Sequence, residues 1–332
     1  MKIIRLDCDS LEKLEPLVRE CEYLRFKELG ADRDLAVKYT IQELSAVISK
    51  GNLVLAAEEQ DELVGAVSLE RLTWDSRHFG IECSRISQLL ARGDFLESLN
   101  VKQKLLSKLL ANCNKKRSLH ISARVSKEDL SSIHALENES FKLMDVLVTY
   151  SFNLQKQEIS DKETQVQVRD VRREDIPQLA DLARECFAKN PVSTDRFHAD
   201  PNLPKDKSGE LYIKWVLASC RDKSNKVLVA LLNGAPVGFT IGNLNEPLAE
   251  RLGIRLGTVV LTGIKTSERG KRISESLWNA LLRWFIGKVD VVETGAEVSN
   301  YAVQRALAKT GFGMVKSQFT FHWSKLASGC EF

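Results

Sequence analysis

The hydrophobic and polar positions of this chain fall into two kinds of stretch. Short alternating runs read as strands, and longer runs with apolar residues three and four apart read as helices. These runs occur twice in the same order. Asn52 to Leu72 (NLVLAAEEQDELVGAVSLERL) and Lys226 to Leu244 (KVLVALLNGAPVGFTIGNL) each predict a β-hairpin, with Val64-Gly65 falling on Val237-Gly238 at an offset of 173. The same offset lays Ala123 to Leu154 over Ala296 to Leu326, with Val125-Ser126 on Val298-Ser299. Each of that pair predicts a strand end, an amphipathic helix, an apolar turn at Phe141 or Phe312, and a closing strand of period two. The first copy carries two extra residues in its helix or turn. Shared order, offset and final strand together imply an internal duplication.

Between the copies, the polar stretch Gln155 to Gln165 lacks apolar periodicity and predicts an exposed linker, which gives domains at 1–155 and 166–332. The second domain reads as a strand and then a helix from near Glu174, with Leu179, Leu182, Ala183 and Cys186 on one face. A helix at Ser208 to Ser219, the hairpin and a buried strand at Gly257 to Ile264 follow. Then come a helix at Ser274 to Ile286, a strand at Val289 to Glu293, a helix at Tyr301 to Lys309 and a last strand. Hairpins mixed with crossovers predict an α/β (α+β) fold of two tandem mixed sheets with flanking helices.

Composition narrows this picture. A length of 332 residues exceeds what one core serves, and 43% hydrophobic residues suffice for a core in each half. The net charge of +3 comes from 48 basic and 45 acidic residues and sets up no broad field, which argues against nucleic acid or an anionic membrane as partner. Seven scattered cysteines (Cys8, Cys21, Cys83, Cys113, Cys186, Cys220, Cys330) form no CxxC pair; they predict reduced thiols in a cytoplasmic protein, with no disulfide framework and no metal site. The charged start MKIIRLDCDS offers no apolar run for a signal peptide or a membrane span.

The chemistry concentrates in Gly257 to Trp278, where an apolar strand passes through a basic, glycine-containing turn into a helix. Unpaired amides and the dipole of a helix start favour an anion there. Arg269, Lys271 and Arg272 add positive charge, and Gly270 lets the backbone come close. By itself ERGKR is either such a cradle or a solvated basic turn. At the same offset the first copy has Phe95 to Leu99, without glycine or basic residue, so that copy is expected to be degenerate and to bind no diphosphate.

This strand, turn and helix, followed by a strand, Asn300-Tyr301-Ala302, a helix and Thr310-Gly311-Phe312, resemble the GNAT superfamily of acyl-CoA-dependent N-acyltransferases. The loop signature of that family is Arg/Gln-x-x-Gly-x-Gly/Ala; Arg269 and Gly270 are present, while Arg272 and Ser274 stand in place of the signature glycines. Leu72-Thr73-Trp74-Asp75-Ser76 and Phe79-Gly80, together with Arg196-Phe197-His198, Asp200-Pro201 and Tyr212 to Trp215, are similar to the dTDP-fucosamine acetyltransferase group. That group joins a shortened N-terminal region to a C-terminal GNAT domain.

The resemblance implies acetyl-CoA as cosubstrate, lying like a strand between splayed neighbours at Gly257 to Ile264 and Val289 to Glu293. Leu261, Thr262, Gly263 and Ile264 would face it, the Thr262 N–H on the thioester carbonyl and Ile264 on the pantetheine arm. Arg269, Gly270, Lys271, Arg272, Ile273 and Ser274 would hold the diphosphate, with Ser274 also a candidate helix cap. Asn300 either bonds the pantetheine or caps its helix. The acceptor amine must lose a proton before it attacks, and Glu293 and Glu297 are the candidate bases; for each, an ordinary exposed strand carboxylate is the preferred reading. Where the family usually has a Tyr to protonate the leaving thiolate, this chain has Leu307, which leaves Tyr301 as candidate acid only if it points inward.

The loop Asn190 to Pro204 lies where the family places its acceptor. Arg196 is a candidate for a phosphate of a nucleotide-sugar, and His198 for a base or ligand. Trp74-Asp75 and His78-Phe79 either shape the same cleft from the first domain or, the preferred reading, form a packing cluster with Trp74 in the core. The partners implied are a small-molecule amine, an amino sugar on a nucleotide foremost, and a second copy of the chain in a homodimer. A GNAT-like protein that binds acyl-CoA without catalysis, or one acting on a peptide or antibiotic amine, are the alternatives.

Overall fold

A computed structural model describes all residues except 114–118, 161–165, 190–193, 246–247, 249–250 and 326–332. The end of the expected linker, the start of the expected acceptor loop, Leu326 and Cys330 therefore lie outside the described residues. The strands are β1 (Lys2–Arg5), β2 (Leu53–Glu59), β3 (Glu62–Arg71), β4 (Glu82–Ala91), β5 (Leu119–Ser126), β6 (Lys142–Asn153), β7 (Gln167–Asp170), β8 (Asn225–Leu232), β9 (Ala235–Asn245), β10 (Leu256–Ile264), β11 (Val291–Glu297) and β12 (Gly313–Lys325).

The chain forms two compact units. The first contains Met1–Val146, Asp200–Asn202 and Ser317–Phe332. Its sheet runs β1-β2-β3-β4-β5-β12, with β4 and β5 parallel and the other pairs antiparallel. The helix Phe95–Cys113 turns Leu105, Leu106 and Leu109 onto Leu119 and Ile121 of β5 to make the core. The second unit contains Leu147–Ala199 and Leu203–Lys316, and its sheet runs β6-β11-β10-β9-β8-β7 with β10 and β11 parallel. One face of this sheet carries the helix Ile273–Phe285 through Leu277, Leu281 and Phe285; the other carries Ile176–Ala183 and Lys205–Arg221 through Leu179, Leu182 and Val216.

The duplication is visible in backbone detail. Arg92 N–H donates to the Val64 carbonyl at 3.1 Å, and Lys265 N–H, 173 residues on, donates to Val237 at 2.9 Å. Parallel pairing ends at Ile86 and Ala123 in the first unit and at Val259 in the second, after which β4 and β10 run on paired only with β3 and β9, to Ala91 and Ile264. Each long strand has a bulge just past that point, between Ile86 and Leu89 and at Val260. A bulge bends and twists its strand, so it turns a parallel pair into a fork. The two extra residues of the first copy lie in the turn before its helix, since Asp129 caps that helix as Asn300 caps the second.

The final strands are exchanged relative to the sequence copies. Leu147–Asn153 of β6, from the first copy, pairs with β11, and Gln318–Lys325 of β12, from the second, pairs with β5. The units thus cross the linker boundary expected between 155 and 166. Both closing strands share one period-two pattern, and alternation fixes a strand's faces without fixing its neighbour. The strand expected at Val289 to Glu293 is Val291–Glu297, because Lys288 and Val289 still bond back to Phe285 through the left-handed turn at Gly287.

Candidate functional site

In the second unit the fork opens beyond Val259 and Thr294, where the Thr294 hydroxyl donates to the Val259 carbonyl at 3.1 Å. From there Leu261, Thr262, Gly263 and Ile264 pair with β9 alone. Amides alternate in direction along such a ladder. Since Lys265 N–H goes to Val237 in β9, the N–H groups of Thr262 and Ile264 point away from β9, into the opening. The Thr262 side chain is fixed by Thr240 Oγ1 at 2.8 Å and by the Trp278 indole N–H at 2.9 Å. The backbone of β10 is therefore rigid on one side and open on the other.

Residues 265–272 connect β10 to the helix Ile273–Phe285. Gly238, Gly242 and Gly257 let that helix settle on the sheet, since a Cβ on any of them would meet Ile264 or Ile273, Leu281 or Phe285 at contact distances as short as 2.6 Å. Gly270 has φ +84° and Arg272 has φ +60°, both left-handed. The cap position belongs to Arg272, which supplies no side-chain cap; Ser274, expected as a candidate cap, is the second helical residue. Among the described residues no hydrogen bond engages the N–H of Gly270, Lys271, Ile273 or Ser274. Lys271 pairs with Glu268 at 2.7 Å, and the Arg272 guanidinium bonds Glu275 at 2.8 and 2.6 Å. Arg269 turns back toward Cys186. The turn thus presents open amides of a helix start inside a ring of cations, a geometry suited to a diphosphate.

Helix Ile176–Ala183 ends in a π-helical turn, Arg184–Lys189, that meets the tip of β10. The Glu185 carboxylate accepts the Thr266 N–H at 2.7 Å, which holds it below the usual carboxylate value. The Cys186 thiol donates to the Ile264 carbonyl at 3.1 Å, and burial raises its pKa against the pull of Arg269. Next to it Phe187 stacks on Tyr212 at 4.8 Å, and Tyr212 stacks on His198 at 6.2 Å. His198 Nδ1 lies 2.7 Å from Asp195 Oδ2, and its Nε2 is buried without a hydrogen bond among the described residues. Burial would raise Asp195, but the bonds from His198, the Phe197 N–H and Tyr212 outweigh it and hold the carboxyl below its ordinary value. A carboxylate behind one imidazole nitrogen fixes the tautomer and leaves the other nitrogen basic. Arg196 stands on the Phe197 ring at 4.3 Å. Sequence reasoning found His198 and missed Asp195, although the three-residue spacing across one short helical turn was available.

The other expected residues are placed as follows. Glu293 and Glu297 alternate with Val292 and Ala296, which face the helix Ile273–Phe285, so both carboxylates lie on the opposite face of β11. Glu297 curls back to the Ser299 N–H at 2.8 Å and to its hydroxyl. Asn300 caps the helix Tyr301–Thr310, its Oδ1 accepting Val303 N–H at 3.3 Å. Tyr301 is 63% exposed in the first helical turn, whereas Leu307 is fully buried. Trp74, expected in a core, is 51% exposed and stacks on His78 at 5.1 Å; Phe79 takes the buried place instead. His120, Asp200 and His322 form a buried cluster in the first unit whose ligand atoms lie within 4.8 Å of one another. Asp200 Oδ2 hydrogen-bonds both rings there, at 3.1 and 2.8 Å. No helix among the described residues is long and apolar enough to cross a membrane.

Comparison with known proteins agrees with this geometry. Residues 177–312 match the acetyltransferase (GNAT) family. Over 149 residues the chain is 24% identical to the spore coat polysaccharide biosynthesis protein SpsD of Bacillus subtilis, a match covering 45% of this chain and 47% of that protein. The match thus spans about half the length of that relative. Among solved structures, a GCN5-related N-acetyltransferase from Sphaerobacter thermophilus aligns with a TM-score of 0.61 at 13% identity, over 97% of this chain and 95% of that one. A tandem GNAT protein from the clavulanic acid biosynthesis pathway aligns with a TM-score of 0.53 at 11% identity, over 97% and 98%. Fork, open amides and family match coincide in one segment: the part of the second unit that matches the acetyltransferase (GNAT) family, residues 177–312, carries them all.

Proposed function

We propose that this chain is an acetyl-CoA-dependent N-acetyltransferase that transfers the acetyl group directly to a small primary amine, with an amino sugar carried on a nucleotide as the acceptor class. The observation that supports it most is the fork itself: Thr262 and Ile264 direct N–H groups into the opening, and the turn 269–274 presents open amides at the end of the same strand. In this reading Ile264 pairs with the pantetheine arm, and the Thr262 N–H bonds the thioester oxygen and stabilises the oxyanion as it forms. Leu261 and Gly263 hold β10 in register against β9. Arg269, Gly270, Lys271, Arg272, Ile273 and Ser274 receive the diphosphate. Asn300 sets the start of the helix behind the site.

The acceptor approaches from the face of Cys186, Phe187 and Tyr212. Its ammonium loses a proton to His198 Nε2, with Asp195 stabilising the imidazolium, and the free amine attacks the thioester carbon. Glu293 shares that sheet face and is the second candidate for the base; Glu297 is held by Ser299 and serves the turn. Arg196, two residues before His198, suits a phosphate of the acceptor. The polysaccharide role in the name of the Bacillus relative, and the sequence resemblance to sugar-nucleotide acetyltransferases, favour an amino sugar.

Titration calorimetry with acetyl-CoA tests the cofactor reading, and absence of binding defeats it. A thiol-release assay across small amines, nucleotide-linked amino sugars included, tests transfer. The buried Leu307 favours a second reading, acyl-CoA binding without catalysis. Tight binding with no thiol release on any amine supports that alternative.

A further inference from the structure

We infer that Tyr150, delivered by the exchanged strand β6, donates the proton to the thiolate that departs when the acetyl group is transferred. This rests on the acetyl-CoA reading of the fork.

Three placements carry the inference. Tyr150 stands directly across from Thr294, the residue of β11 at the last rung before the fork opens. Cross-strand partners share a sheet face, and Tyr150 belongs to the same apolar cluster as Leu307, Val292 and Ile273. Its ring therefore lies on the side of the sheet where the family's usual acid would sit, in the cluster that Leu307 fills. Its hydroxyl donates to Gln304 Oε1 at 2.8 Å, and Gln304 Nε2 donates to the Val298 carbonyl at 2.5 Å, just beyond the end of β11. The phenol is thus tied, on the helix-bearing face of β11, to the carbonyl just past the end of that strand, next to the opening in which the thioester would lie.

In the first unit the residue opposite Ala123, where that fork opens, is Phe321, which has no hydroxyl. The phenol is present only where the fork has a cradle. Burial raises the pKa of Tyr150, so the group is a neutral donor throughout the physiological range.

In the step, the amine nitrogen forms a bond to the thioester carbon and the carbonyl electrons move onto oxygen. When the oxyanion collapses, the C–S bond breaks and its electron pair goes to sulfur. Tyr150 turns its O–H from Gln304 to that sulfur and gives up the proton. The acceptor nitrogen loses one proton to the base before attack and a second as the oxyanion collapses; one goes to solvent, the other balances the proton the phenolate regains from water as CoA leaves, and the sum is amide, CoA thiol and one released proton.

The test does not require the acceptor to be known. Calorimetry compares CoA with desulfo-CoA on the full chain, for the wild type and for Tyr150→Phe. A hydroxyl aimed at sulfur gives the wild type roughly fivefold to tenfold tighter binding of CoA, and the variant then binds both about equally. An equal preference in wild type and variant overturns the proposal. Failure of the wild type to bind either ligand overturns the cofactor reading itself, and this is seen without any variant.

Gln304→Ala supplies a second arm at a half-buried surface position, in case Tyr150→Phe unfolds. Without its resident acceptor the hydroxyl is free for sulfur, so the preference for CoA rises about threefold or more; an unchanged ratio counts against the proposal. Once an acceptor is found, Tyr150→Phe lowers kcat by about a hundredfold with little change in the KM for acetyl-CoA.

Discussion

The turns that follow β4 and β10 leave equivalent forks and differ in what stands at the start of the next helix. After β4 only Arg92, Gly93 and Asp94 intervene before the helix Phe95–Cys113. Asp94 Oδ1 accepts the Glu97 N–H at 2.9 Å, and Glu97 Oε2 accepts the Asp94 N–H at 3.1 Å. The carboxylate of Glu97 lies 2.4 Å from where a Cβ on Gly93 would be, and Arg92 is drawn aside to Glu62. After β10 the longer turn 265–272 ends in a left-handed Arg272 and leaves its helix uncapped by any side chain. One copy has satisfied its helix start with its own carboxylates, and the other has left it for an outside anion. If the second unit binds a diphosphate there, a phosphate site can disappear while its fork and helix remain.

The first unit also turns buried polar groups to structure, and the largest expected effect lies there. Asp200 holds His120 and His322 at the centre of that unit. Burial alone would raise its pKa, but the two imidazole bonds and the Asn202 N–H outweigh it and set the carboxyl far below the ordinary value. A carboxyl lowered on folding stabilises at every pH above the unfolded value, about 3.9. That stability is lost as pH falls below the unfolded value toward the lowered one. Asp200→Asn removes the charge at any pH and is expected to cost about 3 kcal/mol, roughly 10 °C in Tm. Thermal unfolding at neutral pH should show this drop, and the gap between wild type and variant should narrow between about pH 4 and pH 2, as the wild type loses the Asp200 contribution on top of the acid destabilisation that both share. Equal curves for both proteins would mean the network contributes nothing.

These regions differ in how far the sequence alone revealed them. The hairpins, the offset of 173, the helix after the basic turn and the buried face of Leu179 and Leu182 all follow from local alternation, which the chain carries in itself. The exchange of β6 and β12 does not, because a strand's period is the same beside either neighbour. For that reason Tyr150, a residue of the first copy, did not present itself as a neighbour of β11, which borders the second unit's fork. The offset also led to Phe95 to Leu99 as the counterpart of the basic turn, whereas those residues are already helical and the counterpart is 92–94. A constant offset holds along paired strands and fails where a loop changes length. The missed role of Asp195 is of another kind: a hydrogen bond across three residues of a short turn leaves no periodic trace.

Copying the first unit's device into the second gives the next largest effect. Arg272→Asp places a carboxylate at the cap position, as Asp94 does, and should stabilise the helix by up to about 1 kcal/mol. The same carboxylate stands against the diphosphate, so acetyl-CoA affinity should fall roughly thirtyfold. Stability and binding then move in opposite directions, which calorimetry and thermal unfolding read separately. If both fall together, the turn has collapsed and the comparison with Asp94 fails. The converse change, Asp94→Ala, removes the first unit's cap at a cost of about 1 kcal/mol. On the proposed reading, in which only the second unit binds acetyl-CoA, it should leave acetyl-CoA affinity unaltered.

The smallest effect separates the shape of the turn from its charge. A non-glycine residue in the left-handed region costs about 1 kcal/mol, and Arg272 is held there at φ +60° where the family signature has glycine. Arg272→Gly removes that strain, but it also removes the two bonds to Glu275 from a guanidinium that is half exposed, bonds that solvent weakens. Added freedom in the unfolded chain offsets a further part of the gain. The terms nearly cancel, and Tm should stay within about 2 °C of wild type. Since the guanidinium is already paired with Glu275, acetyl-CoA affinity should change by no more than about threefold. A tenfold or greater loss would show that Arg272 binds the diphosphate through its charge. Retained affinity would show that the left-handed backbone and the amides beyond it are what the first copy lost.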